Sequence, residues 1–265
     1  MNQQARQQIA AKAVSLLDLT SLNDDDNEAS IRALCEQAVV TDHNGQAHSV
    51  AALCIYPRFI PFARETLDAL GFYQVRIATV ANFPHGRANI DTAVKETQAC
   101  VAYGADEVDV VMPYQALLDG DEKTVFNLIA ACKAACGNQA QLKVILETGQ
   151  LESAQLIKRA SELAIQAGAD FIKTSTGKVA VNATPESART MLECIAAQPR
   201  KVGFKPAGGV RNLDDVTTYF NLVENSVGAG QLTPALFRFG ASSLLNALKD
   251  ELTGAETKSS EQGAY

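Results

Sequence analysis

An alternation restricts the fold more than any single motif does. Short apolar segments rich in β-branched residues are followed, eight times in series, by apolar residues at helical spacing. The strand-like segments are residues 16–20, 49–56, 75–83, 107–112, 142–148, 171–176, 201–206 and 236–241. The stripes that follow include Ile31, Leu34, Cys35 and Ala38 after the first segment, and Val125, Leu128, Ile129, Cys132 and Cys136 after the fourth. Each pair takes about thirty residues, the size of a βαβ unit. Gly104-Ala-Asp106 and Gly168-Ala-Asp170 each close a helix and open a strand, as a reused αβ turn would. The pattern predicts an α/β chain: a single-domain (β/α)8 TIM barrel over residues 1–253, with an extra N-terminal helix. Residues 254–265 are small and polar and read as a flexible tail. An open doubly wound sheet is the alternative. The first strand is not followed by Gly-x-Gly-x-x-Gly, which argues against a dinucleotide-binding version.

Charge and composition exclude several classes of function. The net charge is −7 and no Lys/Arg-rich stripe appears, so neither nucleic acid nor an anionic membrane is an expected partner. No apolar run approaches the ~20 residues of a membrane span. The N-terminus is polar and lacks the charged-then-apolar pattern of a secretion signal, so a cytoplasmic location is expected. The six cysteines form no Cys-x-x-Cys pair and read as buried apolar residues of a reducing compartment. The three histidines have no metal-ligand spacing, so no metal site is expected.

In such barrels the chemistry lies at the C-terminal ends of the strands. Polar residues that interrupt apolar strands there are Asp18, Cys54, Asp109, Glu147, Lys173 and Lys205. Alternation places Val108, Val110 and Met112 towards the helices and Asp109 into the barrel. Lys173 should point inward with Phe171 and Ser175. A lysine held in low dielectric or beside a second cation loses its proton more readily and becomes a nucleophile. Lys205, on the neighbouring strand, would supply that second cation. Blander readings stay open: Lys173 on the solvent face of an edge strand, Asp109 in a structural ion pair, Lys205 as a phosphate ligand. Glycines and hydroxyls gather at the same rim: Gly177-Lys178, Gly208-Gly209, and Gly240 with Ser242 and Ser243. Backbone N–H groups, serine hydroxyls and the Lys178 charge would cradle a phosphate there.

Five segments together resemble the 2-deoxy-D-ribose-5-phosphate aldolase family. They are Cys54-Ile-Tyr-Pro57, Asn82-Phe-Pro-His-Gly86, Glu107-Val-Asp-Val-Val111, Phe171-Ile-Lys-Thr-Ser-Thr-Gly-Lys178 and Gly203-Phe-Lys-Pro-Ala-Gly-Gly209. They occur in family order, and the similarity spans about residues 16–248. It is strongest to the longer, enterobacterial-type branch, which also ends in tyrosine. The resemblance implies a class I aldolase, a carbon–carbon lyase without metal or other cofactor. It would cleave 2-deoxy-D-ribose 5-phosphate reversibly to D-glyceraldehyde 3-phosphate and acetaldehyde, in deoxyribonucleoside catabolism. It places the Schiff base on Lys173, proton relay on Asp109 and the second lysine at Lys205. Asp18, Thr20, Cys54, Thr176 and Tyr265 are expected to line the site, with Tyr265 on the tail assisting protonation. The expected partners are a phosphorylated sugar, an aldehyde and a second copy of the chain in a homodimer. Residues 39–49, with His43 and His48, have no clear reading.

Overall fold

The computed structural model describes residues 1–254, and its eight barrel strands are short. They are β1 (Leu17–Thr20), β2 (Ala52–Cys54), β3 (Arg76–Ala81), β4 (Glu107–Val111), β5 (Gln141–Ile145), β6 (Phe171–Lys173), β7 (Gly203–Lys205) and β8 (Phe239–Ala241). All pair in parallel in the order β8-β1-β2-β3-β4-β5-β6-β7. Parallel bridges Phe204 to Phe237 and Ala207 to Gly240 stitch β7 to β8 and close the circle. A closed parallel barrel wrapped by helices buries both faces of every strand, which explains their continuous apolar runs.

The helices begin where polar side chains can satisfy their free N–H groups. Asp121 caps the helix Glu122–Cys136, and Thr184 forms a capping box with Ser187 ahead of Pro185–Ala196. The extra N-terminal helix, Gln3–Ser15, packs beside the last helix, Leu244–Thr253, and Arg6 pairs there with Glu251. Gly254 ends that last helix in the left-handed region. The expected flexible tail and Tyr265 lie outside the described residues, apart from Gly254.

The second strand differs from its expected extent. Residues 49–56 are not one strand: Ala47–Ser49 pairs antiparallel with Val39–Thr41, and only Ala52–Cys54 enters the barrel. The reason lies in the turn between the two. Asp42 accepts from the amides of Asn44 and Gln46, Gly45 takes a positive φ, and the segment folds back as a hairpin. His48 then sits 3.0 Å from Asp42. Regular pairing also ends at Lys173 on β6 and Ile145 on β5, earlier than the apolar runs suggest.

Side chains inside the barrel divide by strand. β2 and β3 contribute Ala52, Cys54, Ala78 and Val80, in a small cluster with Leu22, Tyr56 and Phe83. β1, β4, β5, β6 and β7 contribute buried charged side chains, β6 adds Phe171, and Arg238 enters just before β8. Gly203 makes room for that ring: a Cβ there would lie 2.3 Å from Phe171 Cδ1. Gly203→Ala should therefore lower the urea-unfolding free energy by about 1–3 kcal/mol through overpacking. A stability within 0.5 kcal/mol of wild type would show that the ring can move aside.

Candidate active site

The barrel interior holds a continuous ion cluster. Lys173 and Lys205 are direct register partners on β6 and β7, so parallel pairing points both to one face. Each donates to Asp109 Oδ2, at 2.8 Å and 2.8 Å. Lys205 also donates to Asp18 Oδ2 at 2.5 Å. The other Asp109 oxygen, Oδ1, accepts from Lys143 at 2.9 Å. Lys143 lies 2.5 Å from Glu107 Oε2, and Arg238 joins Glu107 Oε1 at 2.7 Å to Asp18 Oδ1 at 2.6 Å. All seven side chains are buried, and Lys173, 3% exposed, is the most open of them.

Charges at this depth cost several kcal/mol each unless paired with good geometry. Pairing holds the carboxylates ionised here. Asp109 lies well below the usual carboxylate range despite burial, because Lys143, Lys173 and Lys205 surround it. Asp18 and Glu107 are likewise lowered, against burial, by Lys205, Arg238 and Lys143. Burial disfavours the Lys205 and Lys143 ammonium groups, but Asp109 with Asp18 or Glu107 outweighs it and raises both. The cluster sets four cations, Lys143, Lys173, Lys205 and Arg238, against three carboxylates. Lys173 has the fewest carboxylate contacts, a single oxygen that it shares with Lys205.

The other expected site residues fall around this cluster in different ways. Cys54 is buried on β2, and burial pushes its thiol up, so it stays protonated. Thr20 turns its hydroxyl back to the carbonyl of Asp18. Thr176 donates to Glu147 Oε2 at 2.6 Å. At the rim, Gly177, Gly208 and Gly209 all have positive φ, which L-residues rarely adopt. The Gly208 amide is not bare as expected; it donates to Gly240 O at 3.2 Å. Gly240 lets the Lys205 stem pass, since a Cβ would lie 3.0 Å from Lys205 Cε. Ser242 and Ser243 are exposed where the helix Leu244–Thr253 begins. Lys178 reaches from the end of β6 to donate to Leu22 O at 2.7 Å, across the mouth. Among the described residues, no group of three or more His, Cys, Asp or Glu side chains is placed to hold a metal ion.

Lys143, Glu107 and Arg238 escaped the sequence reading. Glu107 had a usable signal, because it stands two residues before Asp109 and alternation puts both on one face. Lys143 sits between Leu142 and Val144 as Lys173 sits between Ile172 and Thr174.

A closed parallel barrel whose centre holds buried lysines on a shared carboxylate defines a class: a (β/α)8 barrel with a charged interior. The chain belongs to the DeoC/LacD family of aldolases, whose family model matches residues 12–250. It is therefore a lyase of the aldolase kind. Solved structures with the same fold include two proteins provisionally described as deoxyribose-phosphate aldolases. The one from Toxoplasma gondii ME49 is 22% identical with TM-score 0.84, over 95% of this chain and 96% of that one. The one from Coccidioides immitis is 25% identical with TM-score 0.78, over 94% and 98%. A deoxyribose phosphate aldolase from Aeropyrum pernix, described as tetrameric, is 24% identical with TM-score 0.71, over 94% and 98%.

The cluster sets a stability profile. Carboxylates lowered in the folded state contribute fully above the unfolded value of about 4 and lose that contribution as pH falls. Lysines raised in the folded state contribute fully below about 10 and lose it as pH rises through their folded values. Urea midpoints should change least between about pH 5 and about pH 8 and fall on either side, first on the alkaline side because the thiols, pushed up by burial, ionise at about 8.5 only on unfolding; a midpoint no lower at pH 3 than at pH 6 would contradict this. Lys143→Met, similar in volume, removes one partner from Glu107 and one from Asp109, which keep Arg238 and the other two lysines, and should cost about 1–3 kcal/mol by chemical denaturation.

Proposed function

We propose that the protein is a class I aldolase that reversibly cleaves 2-deoxy-D-ribose 5-phosphate to D-glyceraldehyde 3-phosphate and acetaldehyde through a Schiff base on Lys173. The observation that carries this reading is one carboxylate oxygen, Asp109 Oδ2, shared by the amines of Lys173 and Lys205 inside the barrel. A nucleophilic amine must lose its proton. The cluster holds more cationic than anionic side chains, so that loss lowers its surplus of positive charge, and Lys173 is its least-paired buried member.

In the proposed cycle, neutral Lys173 adds to the open-chain aldehyde carbon, and loss of water leaves an iminium. Removal of the C3 hydroxyl proton sends the C2–C3 electrons into that iminium, releasing glyceraldehyde 3-phosphate. The enamine left on Lys173 is protonated at carbon, and hydrolysis frees acetaldehyde. Asp109 and Lys205 relay the protons, and a permanently charged Lys205 favours loss of the proton from its neighbour. Lys178, the turns at Gly177, Gly208 and Gly209, Gly240, Ser242 and Ser243 hold the phosphate. Asp18, Thr20, Cys54 and Thr176 line the site, and Tyr265 assists protonation. The reading extends to the enterobacterial-type branch, a role in deoxyribonucleoside catabolism, a cytoplasmic homodimer and chemistry that uses no cofactor. The six free, buried thiols suit a reducing compartment.

The test is chemical trapping. Borohydride with acetaldehyde should leave a reduced adduct on the peptide carrying Lys173, read by mass spectrometry. Lys173→Leu should lose both the adduct and turnover while keeping its circular dichroism spectrum. An adduct on another lysine, or near-wild-type turnover in the variant, would overturn the assignment; a sugar-phosphate binder would give no adduct at all.

A further inference from the structure

Glu147 is a titratable residue that neither the ion cluster nor the proposed cycle uses; burial raises its carboxyl, against the bonds from Thr176 that lower it. It is fully buried at the end of β5, beside the strand of Lys173. Its backbone is left-handed, at φ 57° and ψ 58°, a strained conformation for a residue with a side chain. The hydrogen bonds around it show why. Leu146 N–H donates to Lys173 O, and Thr148 N–H donates to Thr174 O. Two residues pass on β5 for one on β6, so Glu147 is the extra residue of a bulge. The bulge turns its carboxyl onto the loop that follows Lys173. There Oε1 accepts from Thr176 N–H at 3.2 Å, and Oε2 accepts from the Thr176 hydroxyl at 2.6 Å. That hydroxyl in turn accepts from Lys178 N–H at 3.0 Å. The chain of bonds runs Glu147, Thr176, Lys178, and it shapes the turn at Gly177.

We infer that Glu147 is a positioning residue for substrate recognition: it consumes the only hydroxyl donor of Thr176 and so presents Thr176 to the substrate as a hydrogen-bond acceptor. A hydroxyl has one donor and two lone pairs. With the donor on Glu147 and one lone pair facing Lys178 N–H, one lone pair remains. Thr176 is therefore matched to a substrate group that donates, such as a sugar hydroxyl, and mismatched to a carbonyl or ether oxygen. The same bonds fix where the Lys178 backbone leaves the strand. The inference rests on the aldolase reading for the identity of the substrate and for the place of Thr176 in its site, and adds a determinant of specificity.

The test uses Glu147→Gln, Thr176→Val, Thr176→Ser and the Gln/Val double variant in the full chain. Steady-state kinetics are measured with 2-deoxy-D-ribose 5-phosphate. Glu147→Gln and Thr176→Val should each lower kcat/KM about tenfold, mainly through KM. The double variant should be no worse than Thr176→Val alone, because both act on one hydroxyl. Thr176→Ser should restore kcat/KM to within about twofold. Borohydride trapping of acetaldehyde on Lys173 should remain at the wild-type level in Glu147→Gln. Multiplicative losses in the double variant, or a Thr176→Val enzyme with an unchanged KM, would overturn the inference; the second result does so even if Gln at 147 unfolds the chain. Failure to trap acetaldehyde on Lys173 in the wild type would instead overturn the aldolase reading.

Discussion

Asp109 is the point on which the barrel interior depends. Its two oxygens divide three ammonium groups between them: Lys143 on one, Lys173 and Lys205 on the other. Neither the carboxylate nor the amines could occupy a water-free interior alone. Each therefore fixes the strand that carries it. The charges come from β1, β4, β5, β6 and β7, with Arg238 entering just before β8. Strands of three to six residues have few backbone bonds to hold their register, and the cluster supplies further constraints. Inside the barrel β2 and β3 offer small apolar side chains, while Arg76 at the start of β3 reaches Glu107 Oε1 at 3.2 Å from the other end, so the interior has a charged wall facing a low one.

The two Asp109 oxygens also face different surroundings. Oδ1 is tied to Lys143, which Glu107 holds from its other side, and Arg238 extends that pairing to Asp18. Those groups are sealed from solvent and mutually compensated. Oδ2 faces Lys205, which Asp18 secures, and Lys173, whose ion pair among the described residues is with Asp109 alone. A single carboxylate thus anchors a rigid lower layer and leaves one amine loosely paired at its upper edge. Lys205 and Lys143, by contrast, are each held by two carboxylate side chains or more.

Much of this organisation was legible in the sequence. The apolar alternation gave the eight-stranded barrel, because a parallel strand buried on both faces has no other composition. Thr184-Pro185 and Asp121 marked helix starts correctly because capping is a local interaction. Asp109, Lys173 and Lys205 were found because a charge inside an apolar strand needs a partner. Glu107 was missed because it opens its strand, where an exposed charge is the ordinary expectation; Arg238, between Phe237 and Phe239, carried the same signal as Lys173. The hairpin at Val39–Thr41 and Ala47–Ser49 was missed for a different reason. Its strands are three residues long, and its formation depends on Asp42 holding the turn rather than on any pattern of apolar residues.

The places where pattern fails share a physical cause. Asn82, Glu147 and Glu152 are the non-glycine residues with positive φ among those described, and the first two stand at the C-terminal ends of β3 and β5. Each such residue costs about 1–2 kcal/mol over an ordinary conformation. Asn82 offsets the cost by donating to Arg87 O and Val111 O and accepting from Arg87 N–H. Glu147 offsets it through Thr176. In both cases a buried polar side chain holds the loop leaving a neighbouring part of the rim. Strand periodicity carries no information about such residues, because their side chains serve the chain after it has left the strand. The strain therefore sits at the end of the barrel where loops must be aimed at a ligand, while helix-to-strand turns such as that at Gly104 use glycine instead.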